Sequence, residues 1–406
     1  MSESKSTHTP YDIAIVGGAG HVGLPLSMVF ANKGKRVLIC DLDRRALSQI
    51  AEGRMPFMEH GAEPMLKNLI DRKLITLTDD ASTLRDADSI VITIGTPIDE
   101  FLNPTLRVIR NCIDELLPCL SDGQLIVLRS TVYPGVTKWV GRYLESRGKR
   151  ILLSYCPERI VQGNAIEELQ SLSQIVSGTT PEAEEAAARL FGVIAPDIVR
   201  LSPTEAEFAK LFSNAYRYIQ FAATNQFYMI ATAAGVDYHR VLEGMKKNYP
   251  RLSDLPGAGF TAGPCLLKDT MQLAAFSDNS FTLGHSAMLI NEALPLFIVD
   301  NILKGYALEE MTVGLLGMAF KSESDDPRAS LSYKLKKVLD FRAKRVLTTD
   351  PYVARDVELL PLEEVIAESD ILIVCVPHRA YKHLDLKGKT IVDVWNFIEP
   401  KVADIE

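Results

Sequence analysis

Residues 12–16 read DIAIV, a short apolar run, and pass at once into GGAGHVG and then LPLSMVFANKG, which has helical periodicity. No other stretch restricts the fold as strongly. Gly18, Gly20 and Gly23 satisfy GxGxxG between a buried strand and a helix, and Asp41 follows the next apolar run, RVLIC, eighteen residues after Gly23. The first glycine permits a tight turn, the second lets a pyrophosphate approach the backbone, and the third lets helix and strand pack closely. The phosphate charge then meets the positive end of the helix. This context predicts a dinucleotide site at Gly18, Gly20, His21 and Val22. Asp41 would accept hydrogen bonds from the adenosine ribose and repel a 2′-phosphate, so NAD is expected rather than NADP. The plainer reading is a glycine-rich turn that binds nothing, with Asp41 a solvated acid at a strand end.

Further strands are expected within 89–97, 124–135 and 150–159, with helical patterns at 63–72, 104–120 and 135–147. Strands alternating with helices predict a parallel sheet with right-handed crossovers. Ligands bind beyond the carboxyl ends of such strands, where Thr96, Ser130, Thr131, Cys156, Glu158 and Arg159 would project. Glu158 reads either as a base or water-positioning group, or as a solvated acid paired with Arg159. Cys156 is expected to pack.

From Pro203 to Ala234 there is no glycine and no internal proline. That predicts a helix of about 30 residues, roughly 45 Å long, which reads as a spine between domains with a subunit interface on its aromatic residues. Glu207, Lys210 and Asn214 share a face at this spacing. Lys210 and Asn214 suit an oxyanion or a water, and the alternative is an ordinary Glu207–Lys210 pair in solvent. Farther on, GAGFTAGPCLLKD crowds glycines and a proline around Cys265, with Lys268 and Asp269 after it. Alone, this loop reads either as a turn around a packed thiol or as a nucleophile beside a cation.

The last hundred residues repeat the opening. MTVGLLGMAF, RVLTTDPYV and SDILIVCVP echo the first strand–turn, the strand–Asp and the strand–Pro runs, so a second Rossmann-like unit is expected. Lys321, Arg328, Lys334, Lys336 and Lys337 there suit phosphates or are simply solvated. The expected fold is α/β: two Rossmann-like parallel-sheet domains joined by a long central helix and a helical middle domain, at 11–202, 203–304 and 305–406.

Composition narrows the function. The 406 residues carry a net charge of -8, which argues against nucleic acid or an anionic membrane surface as partner. Six scattered cysteines include no CxxC pair and no zinc spacing with histidine, so no metal is expected and a reducing compartment fits. The first ten residues lack the apolar core of a secretory signal, and no apolar run approaches the ~20 residues that span a bilayer. A cytoplasmic protein is expected.

Several separated motifs then agree. GGAGHVGLPL, GTPIDEFLNP, RSTVYPGVT, CPERIVQGNAIEEL, EFAKLFSNAYR, the PGAGF…GPCLLKD loop, GMAFKSESDDPR and DPYV together resemble the UDP-glucose/GDP-mannose dehydrogenase family of nucleotide-sugar 6-dehydrogenases over essentially the whole chain. The resemblance implies an N-terminal NAD domain, a central dimerisation domain and a C-terminal domain for a UDP-sugar substrate, assembled as a homodimer through the central helix. It implies oxidation of a sugar C6 alcohol to a carboxylate with two NAD, through a thiohemiacetal and a thioester on Cys265. Lys210 and Asn214 would stabilise the oxyanion or hold a water, and Asp269 would act with that water. Glu158 would assist thioester hydrolysis, with Thr131 supporting the water near the nicotinamide. Lys268 and Arg328 would lie at the cofactor. Glu158, Arg159, Lys210, Asn214, Arg251, Gly259, Phe260 and Lys321 would contact substrate. The loop departs from the family pattern: it runs one residue longer before Cys265, with Ala262 where a glycine is usual. KNYPRLSDLPGAGF and CPERIVQGN resemble the UDP-N-acetylhexosamine branch, pointing to UDP-N-acetyl-glucosamine or -mannosamine.

Overall fold

The structure, a computed structural model, describes residues 10–99, 105–386 and 388–399. The polar residues 1–9 and the Glu100–Pro104 end of the GTPIDEFLNP motif, including the first residue of the helical pattern 104–120, lie outside the described residues. Two units divide the chain, Met1–Phe212 and Ser213–Glu406.

The first unit holds β1 (Tyr11–Val16), β2 (Val37–Cys40), β3 (Ile75–Thr78), β4 (Ala87–Ile92), β5 (Leu125–Leu128), β6 (Leu152–Tyr155), β7 (Gln174–Gly178) and β8 (Ile198–Arg200). They form one sheet in the order β3-β2-β1-β4-β5-β6-β7-β8. The chain reverses direction across the sheet between β1 and β4, and Val16 pairs with both Cys40 and Ile92. Three strand ends therefore finish level, and the turn after β1, Asp41 and Thr93 all leave the same edge. Alternation sends Ile13, Ile15, Val91 and Val127 into one core, and Ala14, Leu38, Ile90 and Ile126 into the other. The sheet is parallel as expected except at β6–β7, where Ser154 faces Gly178 in an antiparallel pair. β3, β7 and β8 were not legible in the sequence. β3 alternates weakly and β8 is three residues long and largely exposed.

The second unit carries β9 (Thr312–Leu316), β10 (Arg345–Thr349), β11 (Ile371–Val374) and β12 (Thr390–Val392), all parallel, in the order β10-β9-β11-β12. The echo of the first unit extends to side chains. Asp41 accepts the Ala19 N–H at 2.9 Å, and Asp350, just past β10, accepts those of Met318 at 2.6 Å and Ala319 at 2.9 Å. The carboxylate after the second strand thus ties down the turn after the first in both sheets. Of the basic residues in this unit, Lys334 is spent on Glu292, Lys336 on Glu358 and Arg328 on Asp326.

The long helix spans Pro203–Ala233, close to its expected limits, and the boundary between the units falls inside it. Two more helices matter here, Leu266–Phe276 and Thr282–Leu303. The second is long and apolar enough to cross a membrane by length and composition, contrary to the sequence expectation. Its apolarity has a local use: Leu294, Ile298, Val299 and Ile302 pack into the core of this unit beside β9 and β11.

Candidate active site

In the first unit the glycine turn is shaped by close approach. A Cβ on Gly23 would stand 2.5 Å from the Gly17 carbonyl and 2.6 Å from the Gly18 Cα, whereas one on Gly20 would meet nothing nearer than 3.5 Å. The third glycine is required by packing, and the second leaves the backbone open on the ligand side. The helix that follows, Gly23–Asn32 with Val22 at its N-cap, has no acid in its first turn to compete with a phosphate. His21 packs against Phe57 with ring centres 4.0 Å apart and the rings tilted by 39°. Each Asp41 oxygen takes one backbone N–H, Oδ2 from Ala19 and Oδ1 from Asp43 at 3.0 Å, so each keeps a lone pair for a ribose hydroxyl. These residues fit NAD.

Beyond β4 and β5 the loops are stitched together: the Thr96 hydroxyl donates to the Thr131 carbonyl at 2.7 Å, and the Ser130 hydroxyl to the Ile94 carbonyl at 2.5 Å. Beyond β6, Glu158 is buried and is not a solvated partner of the Arg159 side chain. Its Oε1 accepts the Arg159 and Ile160 N–H groups at 2.7 and 2.9 Å, and its Oε2 takes the guanidinium of Arg129. The Arg159 side chain turns instead to the Ser173 carbonyl. Arg129, fully buried, was not singled out from sequence. Its only signal there was a charge at the end of an otherwise apolar strand. Cys156 packs as expected, and burial pushes its thiol up to about 11.

Glu207 also departs from its sequence reading. It makes no pair with Lys210 but caps the helix Val136–Ser146, accepting Gly135 N–H at 2.6 Å, Thr137 N–H at 2.8 Å and the Thr137 hydroxyl at 2.6 Å. A carboxylate at that helix end meets its unpaired donors and its positive pole. One turn on, Lys210 is half-buried, and one turn beyond that Asn214 is buried.

In the second unit Cys265 is exposed and forms the N-cap of the helix Leu266–Phe276. The reading of a packed thiol is therefore overturned. A helix N-terminus favours a thiolate over a thiol. Asp269 sits in the first turn with no exposure, its Oδ2 accepting from Asn214 Nδ2 at 2.5 Å and its Oδ1 lying 3.4 Å from the Lys268 ammonium. Oδ1 accepts no hydrogen bond among the described residues, so it has capacity for a water or substrate proton. Arg328 is gripped by Asp326, which holds the guanidinium above its ordinary pKa. Lys321 is half-buried in the loop after β9. Phe260 belongs to the core, Gly259 is enclosed, and Arg251 lies exposed over the Tyr249 ring. Among the described residues no cluster of three or more His, Cys, Asp or Glu is arranged for a metal ion.

Sequence comparison decides what this chemistry belongs to. Three models of one family match in series: the NAD binding domain of the UDP-glucose/GDP-mannose dehydrogenase family over residues 11–194, its central domain over 204–293 and its UDP binding domain over 314–400. The chain belongs to the UDP-glucose/GDP-mannose dehydrogenase family. It is an NAD-dependent oxidoreductase of UDP-sugars. A UDP-N-acetyl-D-mannosamine dehydrogenase of Pyrococcus horikoshii is 28% identical over 97% of both chains. An NDP-N-acetyl-D-galactosaminuronic acid dehydrogenase of Ralstonia nicotianae is 26% identical over 93% of this chain and 94% of its own. The solved structure of a UDP-D-ManNAc dehydrogenase from Pyrococcus horikoshii superposes with a TM-score of 0.89 at 27% identity, covering 97% of each chain. When bound, the nicotinamide cofactor supplies the hydride acceptor, and Gly18, Gly20, Val22 and Asp41 are the candidate groups that would hold it.

Proposed function

We propose that this dehydrogenase oxidises the C6 alcohol of a UDP-N-acetylhexosamine, N-acetyl-mannosamine or N-acetyl-glucosamine, to the uronate through covalent intermediates on Cys265. The observation that carries this reading is the exposed Cys265 thiol at a helix N-terminus, with Asp269 buried in the first turn of that helix and bonded to Asn214 of the long helix. The alcohol loses a hydride and a proton to give an aldehyde. The Cys265 sulfur adds to the carbonyl carbon, and the carbonyl oxygen takes a proton. A second loss of hydride and proton leaves a thioester, and water cleaves its C–S bond to release carboxylate and thiol. One alcohol, one water and two NAD yield one carboxylate, two NADH and three protons.

Lys210 and Asn214 stabilise the oxyanion that forms at each addition. Asp269 exchanges protons through its unsatisfied Oδ1. Glu158 assists hydrolysis from Oε2, the oxygen that keeps a lone pair, and Thr131 supports the water. Lys268, Arg328 and Thr96 serve the cofactor. Arg159, Arg251, Gly259, Phe260 and Lys321 serve the sugar nucleotide. The N-acetylhexosamine assignment is supported by the relatives' names and by the KNYPRLSDLPGAGF segment. The division at 11–202, 203–304 and 305–406 is supported by family boundaries at 194/204 and 293/314. A homodimer through the long helix is supported by its exposed Phe212, Tyr216, Phe227 and Ile230. A cytoplasmic setting is supported by cysteines such as Cys40, Cys119 and Cys375 that are buried without disulfides.

The test is NADH release against a panel of UDP-sugars, with product mass. Two NADH per N-acetylhexosamine and a uronate product are expected, with Cys265→Ser losing the second oxidation. Undiminished turnover of Cys265→Ser would sink the thioester route. Binding without NADH release would reassign the chain as an inactive relative.

A further inference from the structure

Gly259, six residues before Cys265, is gripped on two sides. On one side Asn225, buried within the long helix, holds both backbone groups of the glycine. Gly259 N–H donates to Asn225 Oδ1 at 2.9 Å, and Asn225 Nδ2 donates to the Gly259 carbonyl at 3.1 Å. The second Nδ2 hydrogen goes to Asn291 Oδ1 at 2.9 Å, and Asn291 Nδ2 donates to the Tyr218 carbonyl at 3.1 Å. The Gly259 N–H dictates which end of Asn225 is oxygen, and that in turn dictates Asn291, so the relay has one consistent direction. On the other side, a Cβ on Gly259 would stand 2.3 Å from the Trp395 ring. Trp395 is itself anchored by its indole N–H to the Cys375 carbonyl at 3.0 Å.

Both asparagines are wholly buried, and both lie in helix interiors, where Asn is a poor helix former. A core position filled for stability alone would favour apolar side chains, because buried polar groups repay their desolvation only when satisfied. Asn225 makes two of its bonds to the loop that leads to the nucleophile, and Asn291, braced on the Tyr218 carbonyl of the long helix, holds Asn225.

We propose that Asn225, oriented by Asn291, is a positioning residue that fixes the Gly257–Cys265 loop so that the thiol captures the aldehyde before it escapes. The inference rests on the reading of Cys265 as the nucleophile. Oxidation of alcohol to aldehyde consumes no thiol. Formation of the C–S bond depends on near-attack placement of sulfur, where a shift of about 1 Å costs on the order of a hundredfold. A loosened clasp should therefore spare the first oxidation and leak aldehyde ahead of the second.

The experiment uses the full-length enzyme with NAD and the UDP-N-acetylhexosamine it turns over, with semicarbazide present to trap free aldehyde for mass analysis. Wild type should give two NADH per sugar consumed and no semicarbazone. Asn225→Asp keeps the shape but loses both Nδ2 bonds. It should give between one and two NADH per sugar, with the balance as the trapped aldehyde. Asn291→Ser, a milder change acting through Asn225, should leak less. A thermal melt establishes that each variant is folded. A merely structural role lowers the active fraction and leaves the stoichiometry at two, so folded variants that still give two NADH and no semicarbazone overturn the proposal. Failure of both variants to fold would likewise assign the pair to the core and overturn it. Cys265→Ser separates the two claims: two NADH per sugar without trapped aldehyde in that variant would overturn the nucleophile reading itself.

Discussion

Asn214 donates its side-chain amide to Oδ2 of Asp269 at 2.5 Å, in a place where neither side chain is solvated. The bond joins the long helix to the first turn of the helix that Cys265 caps. It leaves Oδ1 as the only carboxylate oxygen of Asp269 with full accepting capacity. Replacing Asn214 by Leu strips the second oxygen too. Stability should fall by about 1–3 kcal/mol, and kcat by about 10²–10³ through loss of a polar donor at the reacting oxygen. Asp269→Asn should lower kcat by about 10²–10⁴ while costing little stability, because a neutral amide is easier to bury than a charge. Urea melts and steady-state rates on the same preparations separate the two effects.

Asp41 offers each oxygen to one backbone N–H and keeps the rest for a ligand. A 2′-phosphate would meet that charge at close range. Asp41→Ser should move the preference between NADP and NAD by at least about tenfold toward NADP, equivalent to roughly 1.4 kcal/mol. Initial rates with both cofactors measure it. An unchanged preference would remove Asp41 from the ribose site.

How far the sequence foretold these features depends on whether their causes are local. The strand–turn–helix at Gly18–Gly23 and the uninterrupted Pro203–Ala233 helix were legible because periodicity and glycine spacing act over a few residues. The partners of Glu158 and Glu207 were not. Spacing offered Arg159 and Lys210, the nearest cations along the chain, whereas the fold supplies Arg129, twenty-nine residues away, and a helix end seventy residues away. Asn225 and Asn291 were invisible for the same reason, since their amide relay exists only after two helices and a loop have packed.

Asp350 makes a pH-dependent contribution to the stability of the second unit. Burial by itself would raise its carboxyl. The His378 ring N–H and the backbone N–H groups of Tyr352 and Ala319 outweigh burial and hold the pKa below the ordinary aspartate value. A depressed folded pKa stabilises above the unfolded value of about 3.9, and that contribution is lost as pH falls through the folded pKa. Asp350→Asn should therefore be less stable than wild type at pH 7 by about 1–3 kcal/mol, with the gap closing below about pH 4. Urea midpoints from pH 7 down to 3 test the sign, and a gap that widens in acid would contradict it.

Arg129 is a fully buried cation bonded to the turn that carries Glu158 and to Gln174 at the start of β7. Nη1 donates to the Cys156 carbonyl at 3.1 Å and to Gln174 Oε1 at 2.7 Å, Nη2 donates to Glu158, and the guanidinium lies 4.8 Å from the centre of the Phe191 ring. Removing one member of a buried ion pair strands the other charge, which typically costs about 3–5 kcal/mol. Arg129→Met should show a loss of that size. Arg129→Lys should recover part of it at most, since one ammonium cannot make three divergent bonds in a plane. The decisive measurement is a double-mutant cycle. If the cost comes from the stranded carboxylate, Arg129→Met combined with Glu158→Gln should be less destabilised than the sum of the single changes, by roughly 1–3 kcal/mol. Strict additivity would mean that Arg129 supports the β6–β7 region through Gln174 and the Cys156 carbonyl, and that the orientation of Glu158 rests on the backbone N–H groups of Arg159 and Ile160 alone.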